Sequence, residues 1–142
     1  MTDCIFCKIV NHEIPSYKVY EDDNVYAFLD ITQATKGHTL LIPKKHVTDI
    51  FEYDGDLAAT VFACVPKVAR ALEKAFPEME GLNIINNNKE MAYQSVFHSH
   101  IHLIPRYGKS DDFSIHFGNN QSQYSPEQMQ EIAKKIEKQV IH

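Results

Sequence analysis

The stretch from His98 to Pro105, HSHIHLIP, constrains this chain more than any other. Three of its eight histidines fall at every second position within five residues. A period of two suits an extended strand, whose side chains alternate between faces. His98, His100 and His102 are then expected to point one way, neighbours about 6.6 Å apart. Ser99, Ile101 and Leu103 would point the other way, into a core. The chain therefore needs a sheet with one packed face and one face that carries chemistry.

The rest of the sequence supplies that sheet. IPSYKVYEDDNVYAFLD reads as two strands joined by a tight turn at Asp22-Asp23-Asn24. In the second strand Val25, Ala27 and Leu29 share one face, and Tyr26, Phe28 and Asp30 the other. GHTLLIPKKH is a third strand, stopped at Pro43. Asp54 or Asp56 then caps a long helix, with Leu57, Val61, Cys64, Val65, Val68 and Leu72 at helical spacing. Pro66 is expected to kink or interrupt it. LNIINNN is a fourth strand running into a polar loop, and SVFHSHIHLIP the fifth. A last amphipathic helix, about 125–141, has Ser125 as its cap and Pro126 in its first turn. Met129, Ile132, Ala133, Ile136 and Val140 form its apolar stripe. Residues 106–124 read as loop. The order β-β-β-α-β-β-α predicts an α+β fold, an antiparallel five-stranded sheet carrying helices, in a single domain over residues 1–142.

A net charge of −5 argues against a nucleic-acid-coating or anionic-membrane surface. No apolar run is long enough to cross a bilayer, and MTDCIFCKIV lacks the pattern of a secretion signal. Three cysteines give no disulfide framework, so a cytoplasmic, reducing setting is expected.

Three imidazoles on one face can bind a metal or work on a phosphate. In the second case one ring attacks phosphorus while its neighbours steady the oxygens and the leaving group. Cys4 and Cys7 have the C-x2-C spacing that brings two thiolates onto one zinc ion. Histidines must complete such a site, and His12, His38, His46, His98 and His116 are all available. His38, after Gly37 at a strand start, is expected to be buried and to support the site. His12, His116 and His142 read as solvent-exposed.

Together these residues resemble the histidine-triad (HIT) family, whose signature is His-φ-His-φ-His-φ-φ with φ hydrophobic. CIFCKIVNHEIPSYKVYEDDNVYAFLDI, GHTLLIPKKHV, LNIINNN and QSVFHSHIHLIPR match it in order, most closely in the bacterial-type zinc-containing branch. The resemblance implies a HIT-like fold, with a sheet continuous across a homodimer. It implies cleavage at the α-phosphorus of purine nucleoside 5′-monophosphate derivatives: phosphoramidates, adenylates or dinucleoside polyphosphates. His100 would be the nucleophile that carries a nucleotidyl group, and His102 would bond the phosphate oxygens. Ser95 and Gln94 would lie near the leaving group and phosphate, and Asn87 near the phosphate or ribose. Asp30 would bind ribose hydroxyls, and Ile5, Phe6, Phe28 and Ile31 would hold the base. Structural zinc would be held by Cys4, Cys7, His46 and His98, with no organic cofactor.

Three positions depart from the family pattern. Ser99 stands where a hydrophobe is usual, and Tyr93 and Lys89 where glycine is common. Two other functions compete with the triad hydrolase. One is a metal-dependent hydrolase with the three histidines on a catalytic zinc. The other is a nucleotide-binding regulatory protein with incidental turnover.

Overall fold

The computed structural model describes residues 3–141; His142 lies outside them. The chain forms α1 (Ile5–Val10), β1 (Lys18–Glu21), β2 (Val25–Leu29), β3 (Thr39–Pro43), α2 (Gly55–Ala75), β4 (Gly81–Ile85), β5 (Ile101–Arg106) and α3 (Pro126–Glu137). The strands make one antiparallel five-stranded sheet, as expected, and their order in it is β1-β2-β3-β5-β4. The turn between β1 and β2 is set by Asp22, whose Oδ1 accepts the Asn24 and Val25 amides.

Both faces of the central strands are buried, which is why TLLIP has no polar alternation. Val25, Ala27, Leu41, Ile101 and Leu103 pack against the α2 stripe of Val61, Cys64, Val65, Val68 and Leu72. On the opposite face Tyr26, Phe28, Leu40 and Ile42 pack with Phe6 and Ile9 of α1. Asp54 caps α2 through the Leu57 amide.

Three expectations change. The long helix is not interrupted at Pro66, which lies on its exposed side. Cys4 and Cys7 lie at the start of the short helix α1, and the Cys4 side chain caps it by accepting the Cys7 amide at 3.2 Å. The fifth strand begins at Ile101, so only His102 of the triad lies in the ladder. β3 pairs with β5 from Thr39↔Leu103 to Leu41↔Ile101 and then reaches Pro43, which has no amide to continue the ladder. His98 and His100 precede the strand, His98 at a bend, and the Ser99 amide bonds the Val47 carbonyl at 2.7 Å instead. The last helix is also shorter than expected, ending at Glu137.

Gly37 sets the entry to β3. Its φ of +93° is left-handed, and a Cβ there would lie 3.0 Å from Phe76 and 3.3 Å from Pro105. The Gln33 side chain ties this turn together by accepting the Gly37 amide and donating to the Asp30 and His38 carbonyls. Gly37→Ala is expected to destabilise the fold by about 2 kcal/mol, from backbone strain and crowding. Urea denaturation measures this.

Candidate active site

The strand register lays out one wall of a cavity. Phe28 pairs with Leu40 and Leu40 with His102, so three neighbouring strands present these side chains in a row on one face. His38 lies two residues before Leu40 and shares that face. α1 closes the cavity with Ile5, Phe6 and Ile9, and the segment Ile14–Tyr17 adds a second rim. Asp30, Ile31, Ser95, Val96 and His100 complete a space of about 290 Å³.

Hydrogen bonds fix which nitrogen of each ring carries the proton. His38 Nδ1 accepts the Ala34 amide at 3.2 Å, which puts the His38 proton on Nε2. That Nε2 donates to His102 Nδ1 at 2.9 Å, so the free His102 nitrogen, Nε2, bears a proton. His100 has the opposite arrangement. Its Nδ1 donates to the His98 carbonyl at 2.9 Å, leaving a lone pair on Nε2. The His100 and His102 ring centroids are 5.1 Å apart. A lone pair and an N–H donor therefore stand side by side at the cavity.

These assignments require neutral rings, and burial enforces that. Burial lowers His38 and His100, and pushes His102 down to about 4, with the His100 and His38 rings adding to the effect. Asp30 behaves differently. Burial alone would raise its carboxyl, but the Thr32 hydroxyl and amide on Oδ1 outweigh it and hold Asp30 below the usual range. Its Oδ2 is 3.7 Å from His38 Nε2.

The fourth ring, His46, joins His98 in a separate cluster. His98 is fully buried, and its Nε2 donates to the Pro43 carbonyl at 2.8 Å. Its Nδ1 is 3.4 Å from Cys4 Sγ and 3.6 Å from Cys7 Sγ, while His46 Nδ1 is 3.4 Å from Cys7 Sγ. Two sulfurs and two nitrogens on a tetrahedral zinc would stand about 3.6 Å apart, so this donor set fits the ion. Burial and the neighbouring Cys4 push the Cys7 thiol up to about 11, and a bound cation would favour its thiolate. Because His98 turns to the cysteines and His102 to His38, the three triad rings do not converge on one ion.

Other candidates have other surroundings. Gln94 is buried, with Oε1 accepting the Lys89 amide and Nε2 donating to the Thr48 and Val96 carbonyls. It lies outside the cavity lining and holds the loop that leads to Ser95. Asn87 also lies outside the lining, between Asn86, which donates to the His100 carbonyl, and Asn88, which accepts the Ile50 amide. Ser95 stands at the exposed rim, and Ile31 lines the cavity with 84% of its surface exposed. Arg106 is directed away from the triad to Asp111, Asn83 and the Phe113 carbonyl. His12 and His116 are exposed and His38 is buried, as the sequence suggests.

The departures gain a physical meaning. Ser99 Oγ is 3.1 Å from the Tyr53 hydroxyl, so the buried polar group behind the triad is satisfied. Lys89 and Tyr93, at the sites where glycine is common, have φ of 74° and 71°. This chain places side chains on backbone that favours glycine.

A sheet carrying such a triad beside an apolar cavity defines a histidine-triad protein. Residues 11–109 match the HIT domain, and the chain belongs to the HIT family. A crystal structure of a HIT family member from Bacillus subtilis has a TM-score of 0.95 and 52% identity, covering 99% of each chain. An adenosine 5′-monophosphoramidase of Candida albicans is 38% identical over 79% of this chain and 76% of its own length. A Zn-bound histidine triad family protein from Mycobacterium smegmatis has a TM-score of 0.73 and 35% identity, covering 86% of this chain and 87% of its own.

The depressed His102 has a thermodynamic consequence. Its folded pKa, about 4, lies below the unfolded value near 6.5. Between these values the unfolded chain binds more protons, so stability is expected to fall as pH drops from 6.5 toward 4 and to be insensitive to this group above 6.5. One such group contributes a slope of at most about 1.4 kcal/mol per pH unit. Denaturation of wild type and His102→Gln across this window should show a shallower slope in the variant.

Proposed function

We propose that this chain hydrolyses purine nucleoside 5′-monophosphate derivatives at the α-phosphorus, through a nucleotidyl group carried on His100. The observation that carries this reading is the pair of opposite tautomers. His100 Nε2 has a lone pair for phosphorus, while His102 Nε2–H stands beside it as a donor to the phosphoryl oxygens. Attack forms the Nε2–P bond and breaks the P–N bond to the leaving amine, which takes up a proton from solvent and departs past the rim at Ser95. Water then cleaves Nε2–P and returns a proton to solvent, giving the 5′-monophosphate and restoring the neutral ring. His38 holds the His102 tautomer through both steps. The base lies among Ile5, Phe6, Phe28 and Ile31, and the ionised Asp30 accepts ribose hydroxyls. The Candida albicans relative, an adenosine 5′-monophosphoramidase, supports a phosphoramidate substrate. In this reading Gln94 and Asn87 act through the loops that frame the phosphate.

Zinc at Cys4, Cys7, His46 and His98 is part of the same proposal, with a structural role. The ion supplies no chemistry at phosphorus and ties α1 to the segment that carries the triad. The protein then works as a cytoplasmic homodimer with no organic cofactor.

The test is AMP release from adenosine 5′-phosphoramidate by wild type and a folded His100→Asn variant. The expected loss is at least about a thousandfold in kcat, with nucleotide binding retained. Absence of turnover in the wild type would leave a binding role, and equal rates in both would remove His100 from the chemistry. Metal analysis is expected to find one zinc per chain. Chelation should lower the melting temperature by several degrees and zinc should restore it, as for any ligand that binds only the folded state.

A further inference from the structure

α1 and the segment leading to the triad enclose a second space beside the base cavity. It measures about 370 Å³ and is lined by Asp3, Cys4, Ile5, Ser95, Val96 and Phe97. Ile5, Ser95 and Val96 line both spaces, so the two meet along these residues. His100 and His102 line the base cavity and not the second space. In-line displacement at phosphorus sends the leaving group away from the attacking nitrogen. With phosphorus at His100, a leaving group that departs past Ser95 enters the second space.

The cysteine–histidine cluster positions its walls. Asp3 precedes Cys4 and Phe97 precedes His98, and Cys4 Sγ lies 3.4 Å from His98 Nδ1. That contact brings Asp3 and Phe97, far apart in sequence, to the same space. Cys4 also caps α1, which fixes Ile5 in its first turn.

The lining has two chemical characters. Ile5 and Phe97 are 47% and 51% exposed, and with Val96 they offer apolar surface open to a ligand. Asp3 is exposed and makes no ion pair among the described residues. Among those residues no lysine, arginine or histidine lines the space. A polyphosphate tail would bring several negative charges against this carboxylate with no cation to offset them. A small uncharged amine would leave the apolar walls bare. An amine with an apolar body and a cationic far end matches both characters.

We propose that this second space is a leaving-group subsite, and that Asp3 makes it selective for amines whose apolar body ends in a second positive charge. The subsite rests on the reading of His100 as the nucleophile, and it specifies the amine that leaves. The alkyl body lies against Ile5, Val96 and Phe97, where burial of apolar area strengthens binding. The far ammonium faces Asp3, and the Phe97 ring offers it an attractive face. Asp3 is a specificity-determining residue, remote from phosphorus.

The test measures AMP release by the full chain and by its Asp3→Asn and Asp3→Lys variants. The substrates are the AMP phosphoramidates of methylamine, hexylamine, 1,6-diaminohexane and 6-aminohexanoate. All four leave through a primary alkyl amine, so ratios of kcat/KM report what lies beyond the departing nitrogen. The wild type is expected to favour hexylamine over methylamine by at least about tenfold, from apolar burial. It should favour diaminohexane over hexylamine by at least about threefold, the size of one exposed ion pair. The second preference is expected to vanish in Asp3→Asn and to pass to 6-aminohexanoate in Asp3→Lys. A merely structural role of Asp3 would not reverse the order. Equal kcat/KM for diaminohexane and hexylamine in the wild type overturns the proposal. So does a preference that survives both substitutions, or no gain from methyl to hexyl. Turnover of the methylamine substrate in any of these cases leaves the His100 reading standing without the subsite. If none of the four substrates releases AMP, that reading falls and the subsite with it.

Discussion

The carbonyl of Pro43 is the contact on which the site depends. Proline ends the β3 ladder because it has no amide to give, and its carbonyl accepts the proton of His98 Nε2. That single bond sets the tautomer of a fully buried ring. The other nitrogen then faces Cys4 and Cys7, so the cysteine pair and the triad share one anchor. The backbone carbonyl of His98 in turn accepts the proton of His100 Nδ1 and frees the opposite nitrogen. The Pro43 carbonyl thus anchors the residue whose own carbonyl orients His100 at the face of the cavity.

A second line of bonds reaches the same place from the other side. It begins at the Ala34 amide, passes through His38, and ends on His102. The two lines have opposite polarity. One delivers a lone pair at His100 and the other a proton at His102, although both rings are neutral and sit 5.1 Å apart. Burial keeps both lines in register by holding the rings uncharged, because protonation would destroy the acceptor in each. Asp30 stays ionised nearby because Thr32 supplies two donors to it.

Much of this was legible in the residues themselves. The alternation of His98, His100 and His102 signalled a shared face, and the α2 stripe gave the core contacts one by one. Cys4, Cys7, His46 and His98 do meet, with ligand atoms within 4.8 Å of one another. What could not be read was set largely by backbone groups. The polarity of the rings depends on carbonyls and amides that no side-chain pattern records. Six residues of α1 are too few to show a period, so Ile9 was missed as a cavity wall while Ile5 and Phe6 were found. Leu40 was legible in principle, since it alternates with His38 on β3. The rim at Ile14–Tyr17 has no regular pattern to find. Gln94 reads as a group aimed at substrate, yet its amide is engaged by three backbone groups.

The Tyr53–Ser99 contact carries a consequence for how this sequence can drift. The two residues are 46 positions apart, and the hydroxyl of the half-buried Tyr53 answers that of the buried Ser99. Losing the Tyr53 hydroxyl alone strands the buried Ser99 hydroxyl, at a cost of about 1–3 kcal/mol. Exchanging both for apolar groups of the same shape is nearly neutral. Descendants of this chain that lose the Tyr53 hydroxyl first therefore cross a valley between two states, both polar and both apolar. The serine in the middle of the triad is one half of a paired character whose other half lies just ahead of the long helix.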